Sequence, residues 1–225
     1  MDFPTKREAE DKWGPANALS PSEIKNMLDL AHITKKDVFY DLGSGYGRIV
    51  RTVVRKTKAK YVYGIEKDVG RFCDAVRITK ENLSRRQLNK IDLWRADYKY
   101  YDFSDATVIY NGLPEEEEEI KIYEKVFQQN HIKIIKMDLP LVSYKPVASK
   151  FSKNIRLYLM QYPLEPFKMT DKGKWASHVL DYKDATINDV FKYHREMLRK
   201  RGFTEYEVKI FDKELTTLIA KRFSN

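Results

Sequence analysis

The residues best placed to do chemistry lie in the stretch DLGSGYGR, Asp41 to Arg48, together with an acid, Glu66, that closes the later run YVYGIE. Glycines fall at 43, 45 and 47, so the chain can turn tightly there and approach a ligand without intervening Cβ atoms. Backbone N–H groups and the positive end of the following helix would then face a negatively charged or strongly polar group. A dinucleotide fingerprint needs its third glycine at position 48, where Arg48 stands. The spacing is GxGxG instead, which points to a nucleotide-like cofactor of another kind. Glu66 is spaced from the turn as the acid that accepts hydrogen bonds from ribose hydroxyls in nucleotide-binding α/β folds. A strand-to-helix turn that is glycine-rich for packing alone is the competing reading.

The elements needed to hold these residues are legible around them. Val38, Phe39 and Tyr40 form a short β-prone run that Asp41 is expected to end, and Ile49, Val50, Val53 and Val54 carry a helix to about Lys58. Upstream, Ser20-Pro21-Ser22-Glu23 has the form of a capping box, and Ile24, Met27, Leu28 and Ala31 recur on one helical face. Tyr61 to Ile65 reads as a second parallel strand, Val69 to Arg86 as a helix, and Ile91 to Trp94 as a third strand. Ala106 to Tyr110 is a fourth strand, delivering Asn111-Gly112-Leu113-Pro114 to the carboxyl end of the sheet, where open α/β folds bind ligands. The acid run Glu115 to Glu119 then opens a helix through Ile122, Tyr123 and Val126. It serves either to complement the helix dipole or as a negative lip that repels phosphate and draws in lysine. Ile132 to Met137 is a fifth strand, and Ile155 to Tyr162 is expected to pair antiparallel with a strand near Val147 to Phe151. In the tail, Thr186 or Asn188 caps a helix to about Arg201, and Tyr206 to Phe211 with Thr216 to Phe223 reads as a hairpin around Asp212-Lys213-Glu214.

Composition bounds the rest. The 225 residues suffice for one main domain with a modest appendage, and a formal charge of +9 suits acidic or nucleic-acid partners without deciding between them. Cys73 is the single cysteine and the histidines are scattered, so neither a disulfide nor a structural metal is expected. No apolar run approaches bilayer-spanning length, and a cytoplasmic location follows as an expectation.

With these motifs in hand, DLGSGYGR followed by YGIE resembles the first two motifs of the seven-strand, class I S-adenosylmethionine (SAM) methyltransferases. The SPSE helix start and the segment DLPLVSYKPV after strand five narrow the likeness. Together they resemble the archaeal broad-specificity protein-lysine methyltransferases and their mitochondrial relatives that act on the adenine nucleotide translocase and the ATP synthase c subunit. More distantly, DVFYDLGSG with YGIEK resembles the histone-lysine methyltransferases of the disruptor-of-telomeric-silencing type, although Asn111-Gly112 stands where those enzymes carry paired asparagines.

The resemblance covers about Leu19 to Pro163. It implies a Rossmann-like, doubly wound α/β sheet of seven strands over 19–163, preceded by an arm over 1–18 and followed by a helix-hairpin appendage over 164–225. SAM would be held by Asp41, Gly43, Ser44, Gly45, Gly47, Glu66, Lys67, Asp97, Tyr98 and Asn111, with Asp97 near the adenine amino group and Tyr98 flanking the ring. Tyr110, Asn111, Asp138 and Tyr144 would surround a lysine amine of a protein substrate, and no metal is implied. Methylation of RNA or a small molecule, and nucleic-acid binding through the basic tail by a non-catalytic module, are the alternatives.

Overall fold

In the computed structural model, Ser20 starts the first helix, α1 (Pro21–Ala31), through the expected reciprocal bonds. Its hydroxyl accepts the Glu23 N–H at 3.4 Å and the Glu23 carboxylate accepts the Ser20 N–H at 2.7 Å. The described residues are 19–112, 122–123, 126, 132–141, 144–152, 155–166, 172–200 and 203–223. The strands are β1 (Val38–Leu42), β2 (Tyr61–Glu66), β3 (Ile91–Arg95), β4 (Val108–Asn111), β5 (Lys133–Met137), β6 (Ala148–Phe151) and β7 (Arg156–Gln161). They form one seven-stranded sheet in the order β3-β2-β1-β4-β5-β7-β6. β3, β2, β1, β4 and β5 are mutually parallel, whereas β7 runs antiparallel to both β5 and β6. This is the class I methyltransferase arrangement that the resemblance implied.

Strand alternation splits the core in two. Phe39, Val62, Val108 and Ile135 pack on the face covered by α1 and by α2 (Arg48–Lys56). Tyr40, Ile65, Ile109 and Ile134 pack on the other face, with Tyr123 and Val126. Because β1 pairs with β2 on one side and β4 on the other, the winding reverses between β1 and β4, and a crevice opens at their carboxyl ends. Asp41 does not end β1. It lies within the strand, paired with Gly64 and Tyr110, because ladder bonds on both sides hold it in register.

Gly64 shows how tightly this region packs. A Cβ there would sit 2.7 Å from Leu93 Cδ2 and 2.9 Å from Val50 Cγ2. Gly64→Val should therefore destabilise the fold by about 2–4 kcal/mol, read as a lowered midpoint in urea unfolding.

Three sequence expectations change. The helix expected over Val69 to Arg86 is α3 (Val69–Asn82) followed by a separate turn, α4 (Arg85–Leu88). Ser84 makes the break, because its hydroxyl caps the new turn in a box with Gln87 rather than continuing the old helix. The tail holds α5 (Lys172–Leu180), which the sequence reading left unassigned, and α6 (Ile187–Lys200), the helix expected after Thr186. The expected hairpin is instead one helix, α7 (Glu205–Phe223). Val208, Leu215, Leu218 and Ile219 bury at helical spacing, and no Gly or Pro interrupts 205–223 to break the helix. Leu113, Pro114 and the acid run Glu115 to Glu119 lie outside the described residues.

Candidate active site

The glycine turn after β1 is built as expected but bonded differently. Gly43, Gly45 and Gly47 have φ of 76°, 53° and 71°, the left-handed region that excludes most side chains. Its amides, however, are largely spent within the protein. The N–H groups of Gly43 and Ser44 both donate to the Ile65 carbonyl at 2.9 Å, and that of Gly47 donates to Ser44 at 2.8 Å. Gly45 N–H donates to the Glu66 carboxylate at 2.7 Å, whose second oxygen accepts the Asp68 N–H at 2.8 Å. Arg51, one turn into α2 and buried, donates to the Tyr46 carbonyl and fixes the outer limb of the turn. The turn is thus no cradle for phosphate. It is a backbone bend latched by an acid, and a Cβ added at Gly45 would meet no protein atom within 4 Å.

Carboxylates dominate what the crevice offers. Asp41 is 2% exposed, and its Oδ2 has no hydrogen-bond partner. Burial, with the neighbouring Glu66 charge adding to it, pushes its pKa up to about 8. Ser44 Oγ is a second buried atom without a partner. Asp97 lies at the rim. Burial opposes its ionisation, but the Lys99 N–H at 3.1 Å and the Lys67 ammonium at 3.2 Å hold its pKa below the usual carboxylate value. Tyr98 begins the short 3-10 turn that Asp97 caps and packs half-buried against the second core face. An orphaned carboxylate and hydroxyl beside an open glycine bend suit a ligand bringing a cationic donor group, and Glu66 retains lone pairs for hydroxyl donors.

The residues expected around a substrate amine are split by the sheet. Tyr110, next to Asp41 in register, is buried on the α1 side and donates to Met137 Sδ at 3.6 Å. Asn111 follows on the opposite face, fully buried, and its Nδ2 donates to the Tyr123 hydroxyl. Asp138, just past β5, is buried with φ of 64°, uncommon for a non-glycine residue. Its N–H donates to the Arg156 carbonyl at 2.7 Å and its carboxylate accepts the Arg156 N–H at 3.4 Å. Tyr144 forms an isolated bridge with Pro166, donates its N–H to the Leu141 carbonyl at 3.0 Å and lies half-buried against the second core face. Two neighbours went unread in the sequence: Tyr123, and Lys136, which is 1% exposed and in register between Asn111 and Tyr158. The signal for Lys136 was its place inside the otherwise apolar run KIIKM, whose last four residues are all buried.

Residues 17–130, just over half of the 225, match the family model described as histone methylation protein DOT1. The chain belongs to the DOT1 family. A protein-lysine N-methyltransferase of Saccharolobus islandicus is 30% identical to this DOT1-family chain over 87 residues. That match covers 38% of this chain and 52% of the relative, so the chain spans about half the length of the curated relative it matches.

Among solved structures, an RNA methyltransferase from Salinibacter ruber in complex with S-adenosyl-L-homocysteine is 26% identical. Its TM-score is 0.57, covering 64% of this chain and 92% of that one. Streptococcus pneumoniae Sp1610 shares the fold, with a TM-score of 0.53 at 13% identity, over 92% of this chain and 100% of that one. The DOT1-family chain therefore carries a class I SAM-dependent methyltransferase fold, and its cofactor is SAM. Asp41, Ser44 and Glu66 fit that cofactor, whose ammonium and hydroxyls match an unpartnered buried carboxylate and a latching acid. No described helix is long and apolar enough to cross a membrane, and no described group of His, Cys, Asp and Glu could hold a metal.

Proposed function

We propose that this DOT1-family chain transfers methyl groups from SAM to lysine side chains of a protein substrate. The carrying observation is the acid-lined crevice at the β1–β4 switch point, where Asp41, Glu66 and Asp97 favour a cationic donor over a phosphate-bearing one. The likeness to the archaeal protein-lysine N-methyltransferase supports lysine as the acceptor.

When bound, SAM supplies an electrophilic methyl group on a positively charged sulfur. The chain's own part is alignment and desolvation. Asp41 and Ser44 would hold the ammonium end, Glu66 the ribose hydroxyls, and Asp97 with Tyr98 the base, with Lys67 steadying Asp97 through its ion pair. Gly43, Gly45 and Gly47 leave room for the ligand. Asn111 would contact both cofactor and amine, Tyr144 would bound the channel on that face of the sheet with Tyr110 backing it from the α1 face, and Asp138 would orient the amine or accept its proton on a carboxylate oxygen. Low polarity around the amine disfavours its ammonium form, so the nucleophile reaches the methyl group neutral. We assign this work to 19–163, with 164–225 as an appendage joined through Arg156 Nη1 and the Tyr158 hydroxyl, both donating to the Val179 carbonyl, while the arm expected over 1–18 lies outside the described residues. A cytoplasmic setting suits the exposed free thiol of Cys73.

The second reading is RNA methylation, favoured by the likeness to the Salinibacter ruber enzyme and by the net charge of +9. Incubation with methyl-labelled SAM and separate protein and RNA pools decides between them. Label on lysine in the protein pool is expected, and label in RNA alone would overturn the lysine reading.

A further inference from the structure

A groove of about 1270 Å³ runs between α1 and α2, and the methyl-transfer site makes no use of it. Its floor is aliphatic, with Ile24 buried and Leu28 and Ile33 half-buried. Lys25 on α1 and Lys150 on β6 form one rim, and Arg55, Lys56 and Lys58 the other. Asp29 is the one carboxylate among the described lining residues, and Lys25 at 2.8 Å and Lys150 at 2.9 Å already share it. Lys56 and Lys58 are exposed, and among the described residues neither forms an ion pair with a carboxylate. The groove therefore carries a surplus of positive charge over an apolar base.

Its direction and lining narrow the occupant. Both helices start at the carboxyl end of the sheet, so the groove opens beside Arg48, next to the glycine turn, and runs down to Lys58. The nine residues of α2 give it a length of about 13 Å, or two to three helical turns. The described lining residues include no Phe, Tyr or Trp and a single exposed imidazole, His32, so a run of nucleic-acid bases finds no continuous stacking platform. An aliphatic floor between two cationic rims instead complements a helix whose apolar stripe is flanked by acids.

We infer that this groove docks an acidic amphipathic helical segment of a protein partner, independently of which molecule is methylated. The probe is a fluorescein-labelled peptide of roughly 15–18 residues, with leucines at i, i+3, i+4 and i+7 and glutamates elsewhere. It is compared with a peptide of identical composition whose leucines are dispersed, and with a labelled DNA duplex and a single-stranded RNA.

In anisotropy titrations on the full chain, the striped peptide should bind at least about tenfold tighter than the dispersed one. The double variant Lys56→Glu, Lys58→Glu should weaken it by about tenfold or more, while SAM affinity measured by calorimetry stays unchanged. Equal binding of both peptides, no binding of either, or tighter binding of an oligonucleotide that the same variant abolishes would each overturn the inference. Unchanged SAM affinity in the variant separates its failure from failure of the methyltransferase reading.

Discussion

Glu66→Ala is expected to weaken SAM binding by about a hundredfold or more and to loosen the glycine turn. The Glu66 carboxylate now accepts the Gly45 and Asp68 N–H groups at 2.7 and 2.8 Å. Hydrogen bonds to a charged group are each worth about 1.5–3 kcal/mol. Losing two leaves buried amides unsatisfied in the free protein, and the bound state also loses the acceptor for ribose hydroxyls. Glu66→Gln keeps the shape but exchanges one accepting oxygen for a donor, so it should fall between wild type and alanine. Calorimetric titration with SAM reads the order directly. Equal affinity in all three proteins would place the cofactor elsewhere.

The second large effect concerns Asp41, where stability and binding should move in opposite directions. Its folded-state pKa is raised to about 8 from 3.8, first by burial and then by the charge of Glu66. A carboxyl raised in this way contributes fully to stability below its unfolded value, and that contribution is lost as pH rises through the folded value. Between about pH 4 and pH 8 the free wild-type chain should therefore lose stability progressively relative to Asp41→Asn, by several kcal/mol at the upper end.

Binding runs the other way. The ammonium of SAM favours ionised Asp41, so wild-type affinity should rise by up to about tenfold per pH unit on approaching pH 8 and then level off. The asparagine variant should bind more weakly and show a flat profile. Thermal unfolding with and without SAM across the neutral range tests both halves. A wild-type profile as flat as the variant's would show that Asp41 does not meet the cofactor's charge.

The glycine spacing, the absence of a dinucleotide pattern and the acid closing the second strand lie in two short stretches, Asp41 to Arg48 and Tyr61 to Glu66, and their resemblance to class I methyltransferase motifs implied the fold family and the cofactor. Ser20-Pro21-Ser22-Glu23 fixed a helix start for the same reason, since a capping box closes within one turn and needs no distant partner. Strand positions came from short apolar runs, although Asp41 was placed at the wrong side of a strand end because a ladder continues across a charged residue when both neighbours pair with it.

What only the tertiary structure decided depends on groups far apart in the chain. The turn's amides are occupied by Ile65 and Glu66, so a site that looked like an anion cradle is an acid-lined one that favours cations. Asp41 is perturbed because β2 and β4 enclose it, and desolvation is invisible in local sequence. The tail's alternation around Asp212-Lys213-Glu214 resembled a hairpin until packing selected the helical period of Val208, Leu215, Leu218 and Ile219. Local hydrogen bonding such as a capping box is a property of a window of residues, and the sequence settles it. Desolvation, pairing across strands and the occupancy of a carboxylate belong to the packed molecule, because they are set by which elements exclude water from which groups.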